Sequence, residues 1–499
     1  MKKVIVIGSG IGGLTAGNLL ARKGYDVTVF ESHSMPGGYT AGFTRKGFYF
    51  ESGTLSFESG PSVNKAMQDI GVLDKLEFVP QRMRFVSGRI DGSPENYNEL
   101  KKMFYLGFPE EKDKLDKFFA ELDKIAAVMS GFDKPMPFLL SGIPLLFAIL
   151  PYVLKGPKMM KVIGKYQNMT ISEFLLEFFE KDSEIFKWLR GYGYPDMSAY
   201  YLAAAFSSMF SDYWTVKGGM QSWADTLADS FRKYGGKLLL NAYVEQILTK
   251  DGCAVGVLCN GKRYESDYVI AACDYKNAIL KLLDNKEIVP LELREKIKDS
   301  PVSEGFFTVY LGLKMPTDEL KKYMNLPHVM YFDEKEGLDI YNSNDGQYFD
   351  RCSIGLYSTS MVNPKHAPAG KSSLMLQTMV PTRWMENWGG GDKQKYRELK
   401  EQAMEVMIKK ASKFIPDLQE AIEFKDAATP LTYERYTHNS DGASSSWSWN
   451  PRKKFYEKTM GVNIDTPVKN LYIGSCWSMQ IGGIPGALAG AYQSVKNIK

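Results

Sequence analysis

Five cysteines and four histidines in 499 residues are too few and too scattered to build a metal centre or a disulfide scaffold. Cys253, Cys259, Cys273, Cys352 and Cys476 show no C-x-x-C spacing, and no histidine pairs with a second ligand at metal spacing. Charge of one sign is also missing. Lys and Arg number 62 against 58 Asp and Glu, and the resulting +4 is spread evenly, so no nucleic-acid partner is expected. There is no nucleophile elbow, no paired-carboxylate signature and no internal repeat. The bulk composition, 44% hydrophobic and 24% charged, is that of an ordinary globular protein. The length exceeds the ~250 to 300 residues that one core usually serves, so more than one domain is expected. Met1-Lys2-Lys3 leads straight into an apolar strand, which with the unpaired cysteines predicts a cytoplasmic chain without a secretory leader.

What is present begins at the first residues. Val4 to Ile7 read as a fully buried parallel strand, and Gly8, Gly10 and Gly13 occupy the G-x-G-x-x-G positions of a turn and helix start. Gly8 makes the tight turn, Gly10 lets a pyrophosphate approach the backbone, and Gly13 lets helix and strand pack closely. The phosphates then meet free amides at a helix N-terminus, where the dipole favours negative charge. A second strand, Val27 to Phe30, ends on Glu31, about the ~20 residues downstream expected of a carboxylate that holds ribose hydroxyls. An acid there repels a 2′-phosphate, so FAD or NAD fits better than NADP.

The residues after Glu31 separate the two. A Gly37-Gly38 pair stands just beyond the acid, and Phe48-Tyr49-Phe50-Glu51-Ser52-Gly53 alternates like a strand. A long, extended FAD uses such a second glycine pair; a simple nicotinamide dehydrogenase does not need one. This arrangement resembles the phytoene desaturase, carotenoid isomerase and retinol saturase family of flavoproteins. Three further segments carry the resemblance across nearly the whole chain: Lys217-Gly218-Gly219-Met220, the stretch from Thr429-Pro430 through Arg435-Tyr436-Thr437-His438-Asn439, and Asn470 to Ser494 with Gly482-Gly483-Ile484-Pro485-Gly486. Departures exist: Glu51 replaces an aspartate, Ser475-Cys476 replaces Gly-Asp, and a serine run with Trp447 and Trp449 replaces a small-aromatic-glycine ending. The last of these concerns the substrate pocket and not the cofactor.

Motif and resemblance together imply an α/β fold with a Rossmann-like, three-layer ββα FAD-binding domain and an inserted α+β substrate domain. The FAD domain is expected from residues 1–70, 215–290 and 465–499, and the substrate domain from 71–214 and 291–464. The residues expected at FAD are Gly8, Gly10, Ile11, Gly12, Gly13, Glu31, Ser32, Gly37, Gly38, Tyr39, Gly53, Thr54, Val244, Gly474, Ser475, Gly483, Ile484 and Pro485. By the resemblance Val244 lies beside the adenine. Gly261 to Asp274 reads as a hairpin returning to a buried strand. Glu304 to Leu313 and Ser372 to Val380 read as strands of a sheet floor, and Lys393 to Phe414 as a plain surface helix.

One insertion is unusual. From Pro135 to Leu154 no residue carries charge, a length that could span a membrane, but Pro137, Pro144 and Pro151 argue against it. Lys155, Lys158, Lys161 and Lys165 follow, alternating with Met159, Met160, Val162 and Ile163. Such a basic amphipathic segment favours peripheral contact with an anionic membrane, on the inner face, over a buried helical pair. Nine aromatic and methionine residues, Tyr192, Tyr194, Tyr200, Tyr201, Phe206, Met209, Phe210, Tyr213 and Trp214, crowd ahead of the KGGM segment. Most should be core, with about three touching an extended apolar ligand.

These features point to redox or isomerising chemistry on a carbon-carbon double bond of an apolar polyene or isoprenoid lipid, by saturation, desaturation or flavin-assisted isomerisation. Two other readings share the fold: a flavin amine oxidase and a non-catalytic prenyl-lipid carrier. No catalytic side chain is assigned. Glu434, Tyr436 and His438 are candidates for proton transfer by position, although a structural role is favoured for each, as a small buried residue is for Cys476. The lack of a second G-x-G-x-x-G implies an external electron donor or acceptor of unidentified nature.

Overall fold

The computed structural model of the chain describes residues 1–128, 134–154, 156–194, 196–332, 342–458 and 461–499, without the side chains of Val128, Pro151, Tyr152, Lys158, Ser207 and Ser208. Its nucleotide-binding half is built on a five-stranded parallel sheet. The spatial order is Leu471–Ile473, Tyr268–Ala271, Lys3–Ile7, Asp26–Phe30 and Lys237–Leu239. Numbered by sequence this is the 3-2-1-4-5 order of a doubly wound sheet, whose switch point lies beside the first strand.

Alternation along the first strand explains the layers. Val4 and Val6 face the helices, packing with Ala16, Leu20, Phe231 and Val495. Ile5 and Ile7 face the other way, onto Val244, Ile247 and Val257. Those three belong to an antiparallel sheet of Val244–Lys250, Cys253–Cys259 and Lys262–Glu265. Both faces of the parallel sheet are covered, which is why its strands read as unbroken apolar runs. The result is the three-layer ββα arrangement, assembled from chain segments far apart in sequence.

The second half rests on a seven-stranded mixed sheet. Gly305–Leu313 lies between Ile422–Ala428 and Ser372–Val380, and Ile354–Tyr357, His328–Tyr331, Met83–Val86 and Asp91–Gly92 follow. The two segments read from sequence as floor strands are therefore paired neighbours, antiparallel from Gly305↔Val380 to Leu313↔Ser372. The Lys393–Ser412 helix is more than a surface helix: Met404, Met407, Ile408 and Ala411 pack onto Phe307, Val309 and Leu311 of that sheet. Its charges occupy only the outer face. A helical lobe, with Phe104, Phe118, Phe174, Trp188 and Phe206 at its centre, completes the half.

The uncharged insertion is neither a span nor a buried pair. Gly142–Leu154 is a helix on which Ile143, Leu146, Phe147 and Leu154 are 69%, 69%, 70% and 74% exposed. Among the described residues no helix is long and apolar enough to cross a membrane. The next helix, Gly156–Tyr166, packs Met159, Val162 and Ile163 against the lobe and leaves Lys161 exposed. Lys165 is already engaged, its Nζ 3.0 Å from Glu121. Lys155 lies outside the described residues.

Candidate functional site

Two helix N-termini meet at the switch point of the parallel sheet. The first helix, Ile11–Arg22, is capped by Gly10 and the last, Gly483–Asn497, by Gly482. Neither has a side-chain cap bond or an acid in its first turn. Amides left free in this way attract an anion. The two turns are held together by glycines with no room for a side chain. A Cβ at Gly12 would lie 2.4 Å from the Gly474 carbonyl, and one at Gly13 would lie 2.0 Å from that of Gly8. Gly474 has the same restriction against Ile270, at 2.3 Å. These glycines are packing positions that shape the turn.

Gly10 is different. A Cβ there meets nothing nearer than the Gly37 carbonyl at 4.0 Å. No protein group demands glycine at this position, so the demand fits a group that lies against the turn. Gly37 and Gly38 face it, with Gly10 and Gly37 bridged and the Gly37 N–H donating to Ser9 O at 3.0 Å. Both have positive φ, 129° and 58°, which a glycine pair accommodates without strain. Gly8, at φ 101°, closes the first turn by donating to Phe30 O at 2.8 Å.

Glu31 sits buried at the end of the second strand. Its Oε2 accepts from the Ser9 N–H at 2.8 Å and the Ser9 hydroxyl at 2.7 Å, and its Oε1 from the His33 N–H at 2.8 Å and the Ser32 hydroxyl at 3.2 Å. The two amides fix the carboxylate, while the two hydroxyls can rotate away in favour of a diol. Further along, Thr54 N–H donates to Tyr39 O at 2.9 Å, and a Cβ at Gly53 would strike the Tyr39 ring at 2.5 Å. Tyr39 itself stacks on Tyr433, centroids 5.5 Å apart, and donates to Ala443 O at 2.7 Å. Ser475 donates to Cys273 O at 2.7 Å. Val244 buries its side chain between the two sheets.

From Gly53, Thr54 and the Gly482 to Pro485 turn, a cavity of about 520 Å³ runs into the helical lobe. Tyr192, Tyr194, Tyr201, Met209 and Tyr213 line it, five of the nine residues singled out by sequence where three were expected. Phe306, Met330 and Met379 supply the sheet side, and Tyr194 stacks on Trp449 at 4.3 Å. Glu58, Asp212 and His328 also line it.

The family described as flavin containing amine oxidoreductase matches the chain from residue 11 to residue 498. This chain belongs to that family. It is an FAD-dependent oxidoreductase, and the paired uncapped helix ends, the open Gly10 and the Glu31 carboxylate suit that cofactor. Prolycopene isomerase 1 of an Oncidium hybrid cultivar is 28% identical over 462 residues, covering 88% of this chain and 74% of its own. The 4,4'-diapophytoene desaturase of Methylomonas sp is 26% identical over 475 residues, 91% of this chain and 89% of its own. An all-trans-retinol 13,14-reductase of Danio rerio is 24% identical, covering 98% and 84%. Putrescine oxidase bound to putrescine superposes with a TM-score of 0.65 at 15% identity, over 100% of this chain and 98% of that one, a likeness of fold.

Within this flavoenzyme the sequence-based proton-transfer candidates lie elsewhere. Glu434, Tyr436 and His438 are not among the cavity-lining residues. Tyr436 and His438 lie near the Glu31 turn, where Tyr436 meets His33 at 5.3 Å and His438 meets Tyr243 at 5.1 Å. Cys476 has its thiol pushed up to about 12 by burial, so it stays protonated and inert. The residues sequence reasoning missed are Glu58, Asp212 and His328. Burial raises both carboxyls above the usual range and pushes His328 down to about 4. The run Phe57-Glu58-Ser59-Gly60-Pro61, an acid after an aromatic residue just ahead of a helix start, was the available signal for the first.

Proposed function

We propose that this flavoenzyme acts on carbon-carbon double bonds of an apolar polyene or isoprenoid lipid. The observation that carries the reading is the cavity, walled by methionines and aromatics and running from the cofactor glycines into the lobe. Such a wall recognises an extended apolar molecule by area and shape. The relatives named for a prolycopene isomerase, a diapophytoene desaturase and a retinol reductase support it. Flavin supplies hydride or electron transfer to the substrate carbon, while the protein positions the chain and excludes water. Saturation, desaturation and isomerisation all use this arrangement. Mass and chromatographic analysis of a polyene incubated with the FAD-loaded protein tests the reading. A change of two hydrogens, or a shifted retention at constant mass, supports it; an untouched polyene beside an oxidised amine refutes it.

The exposed Gly142–Leu154 helix supports peripheral contact with a lipid surface. Its base is clamped to the last helix: Gln493 Nε2 donates to Phe138 O at 2.6 Å, and Lys496 Nζ donates to Phe138 O at 2.9 Å and Leu140 O at 2.7 Å. Met136, in the same stretch, lines the cavity. An apolar helix seated in the interface thereby adjoins the substrate cavity, which suits a substrate collected from lipid.

A further inference from the structure

The cavity wall is mostly hydrocarbon and aromatic, yet one free carboxyl faces into it. Glu58 stands just ahead of the Gly60–Ile70 helix, where it is exposed and lines the cavity. Asp212, the other acid on the wall, is committed elsewhere. Its carboxylate accepts from the Ser59 N–H at 2.8 Å, the Gly60 N–H at 2.7 Å and Trp214 Nε1 at 2.9 Å. Among the described residues Glu58 has no such set and bonds its own backbone N–H. Tyr192 and Tyr213 are near enough to feel its charge. Tyr213 in turn lies along the His328 ring, centroids 6.4 Å apart. No lysine or arginine is among the described residues of the wall.

We propose that Glu58, with Tyr213 and His328 beside it, recognises an uncharged polar end group, a hydroxyl or carbonyl, on an otherwise apolar isoprenoid chain. This rests on the lipid reading above and names the end of the molecule it takes. A carboxyl accepts from a hydroxyl and, when protonated, donates to a hydroxyl or carbonyl oxygen, whereas a plain hydrocarbon end leaves it unpaired in an apolar wall. Surrounding protein and the neighbouring Asp212 shift the Glu58 carboxyl above the ordinary range, and burial pushes His328 down to about 4. With no cation among the described residues of the wall, a phosphate or carboxylate end has no partner there.

Titrations of the FAD-loaded protein with farnesol, farnesene and farnesylamine, followed by tryptophan fluorescence, hold the chain constant and vary its end. Farnesol should bind about tenfold tighter than farnesene, the equivalent of one hydrogen bond at ~1.4 kcal/mol per decade. Glu58→Leu should bring farnesol down to the level of farnesene and leave farnesene within about twofold of its former affinity. Glu58→Gln, which keeps a neutral donor and acceptor, should retain most of the preference and serves if the leucine variant does not fold. Equal affinity for alcohol and hydrocarbon in the unaltered protein overturns the proposal, as does a preference that survives Glu58→Leu. Tightest binding of farnesylamine, lost on acidification, overturns it in favour of an ionised Glu58 and an amine. Failure of all three to bind overturns the isoprenoid reading itself, a result distinct from uniform binding.

Discussion

Glu31 and Ser9 are joined twice, the carboxylate accepting both the amide and the hydroxyl of the serine at 2.8 and 2.7 Å. The acid expected at the ribose is therefore also the acid that holds the glycine turn in place. Glu31→Ala should weaken FAD binding by about 1 to 3 kcal/mol, the range for losing charge-assisted hydrogen bonds. Calorimetric titration of the apoprotein measures it, and unchanged affinity removes Glu31 from the site.

The glycines of the first turn separate into two kinds, and substitution should tell them apart. Gly10→Ala has space for its Cβ in the protein and should leave the apoprotein's melting temperature within a few degrees while abolishing flavin uptake. Gly13→Ala forces a Cβ to within 2.0 Å of the Gly8 carbonyl and should destabilise the fold itself, by about 1 to 3 kcal/mol or more. Thermal melts of both apoproteins give the comparison.

Glu51 bridges the Phe48–Glu51 strand and the KGGM segment, accepting from the Met220 N–H at 3.0 Å and from Tyr49 Oη at 2.8 Å. Burial pushes its carboxyl up to about 8, above the about 4.3 of an unfolded glutamate. The folded chain keeps a proton that the unfolded chain releases. The stabilisation is thus complete below about pH 4.3 and is lost as pH rises towards about 8. Stability should fall between about pH 5 and 8 with a slope of up to about 1.4 kcal/mol per unit from this group. Glu51→Gln should flatten that slope, though not wholly, because burial also pushes Glu304 up to about 7. Denaturant midpoints across this range provide the check.

Liposome flotation tests the lipid contact. Wild-type protein should float with anionic vesicles, less so as salt rises. Leu146→Ser with Phe147→Ser should abolish flotation, since each buried side chain contributes about 1.5 to 3 kcal/mol. Lys161→Gln should weaken it by about 1 kcal/mol, and Lys165→Gln less, because Lys165 pairs with Glu121. A wild type that never floats assigns the helix another partner.

The nucleotide half was legible because its signals are local: a strand, three glycines, a helix and an acid within one short run. The layers came from the motif and resemblance; that Val4 and Val6 face one side and Ile5 and Ile7 the other is visible only in the structure. The cavity was legible only as a tendency. Its polar wall brings Glu58, Asp212 and His328 together from three distant segments, and the parallel pairing of Met83–Val86 with His328–Tyr331 that helps to do so leaves no local trace. The Gly142–Leu154 helix shows the same limit: its apolar content was plain, but whether that surface was covered depended on what packed around it.

The account's central claim is tested most directly by anaerobic spectroscopy of the purified, FAD-loaded protein. Its flavin absorbance should change when an unsaturated isoprenoid is added, with matching loss or gain of hydrogen in the extracted lipid, or the reduced form should isomerise the lipid without net change. A colourless protein that takes up no FAD, or a flavin that responds to amines and ignores every isoprenoid, contradicts it.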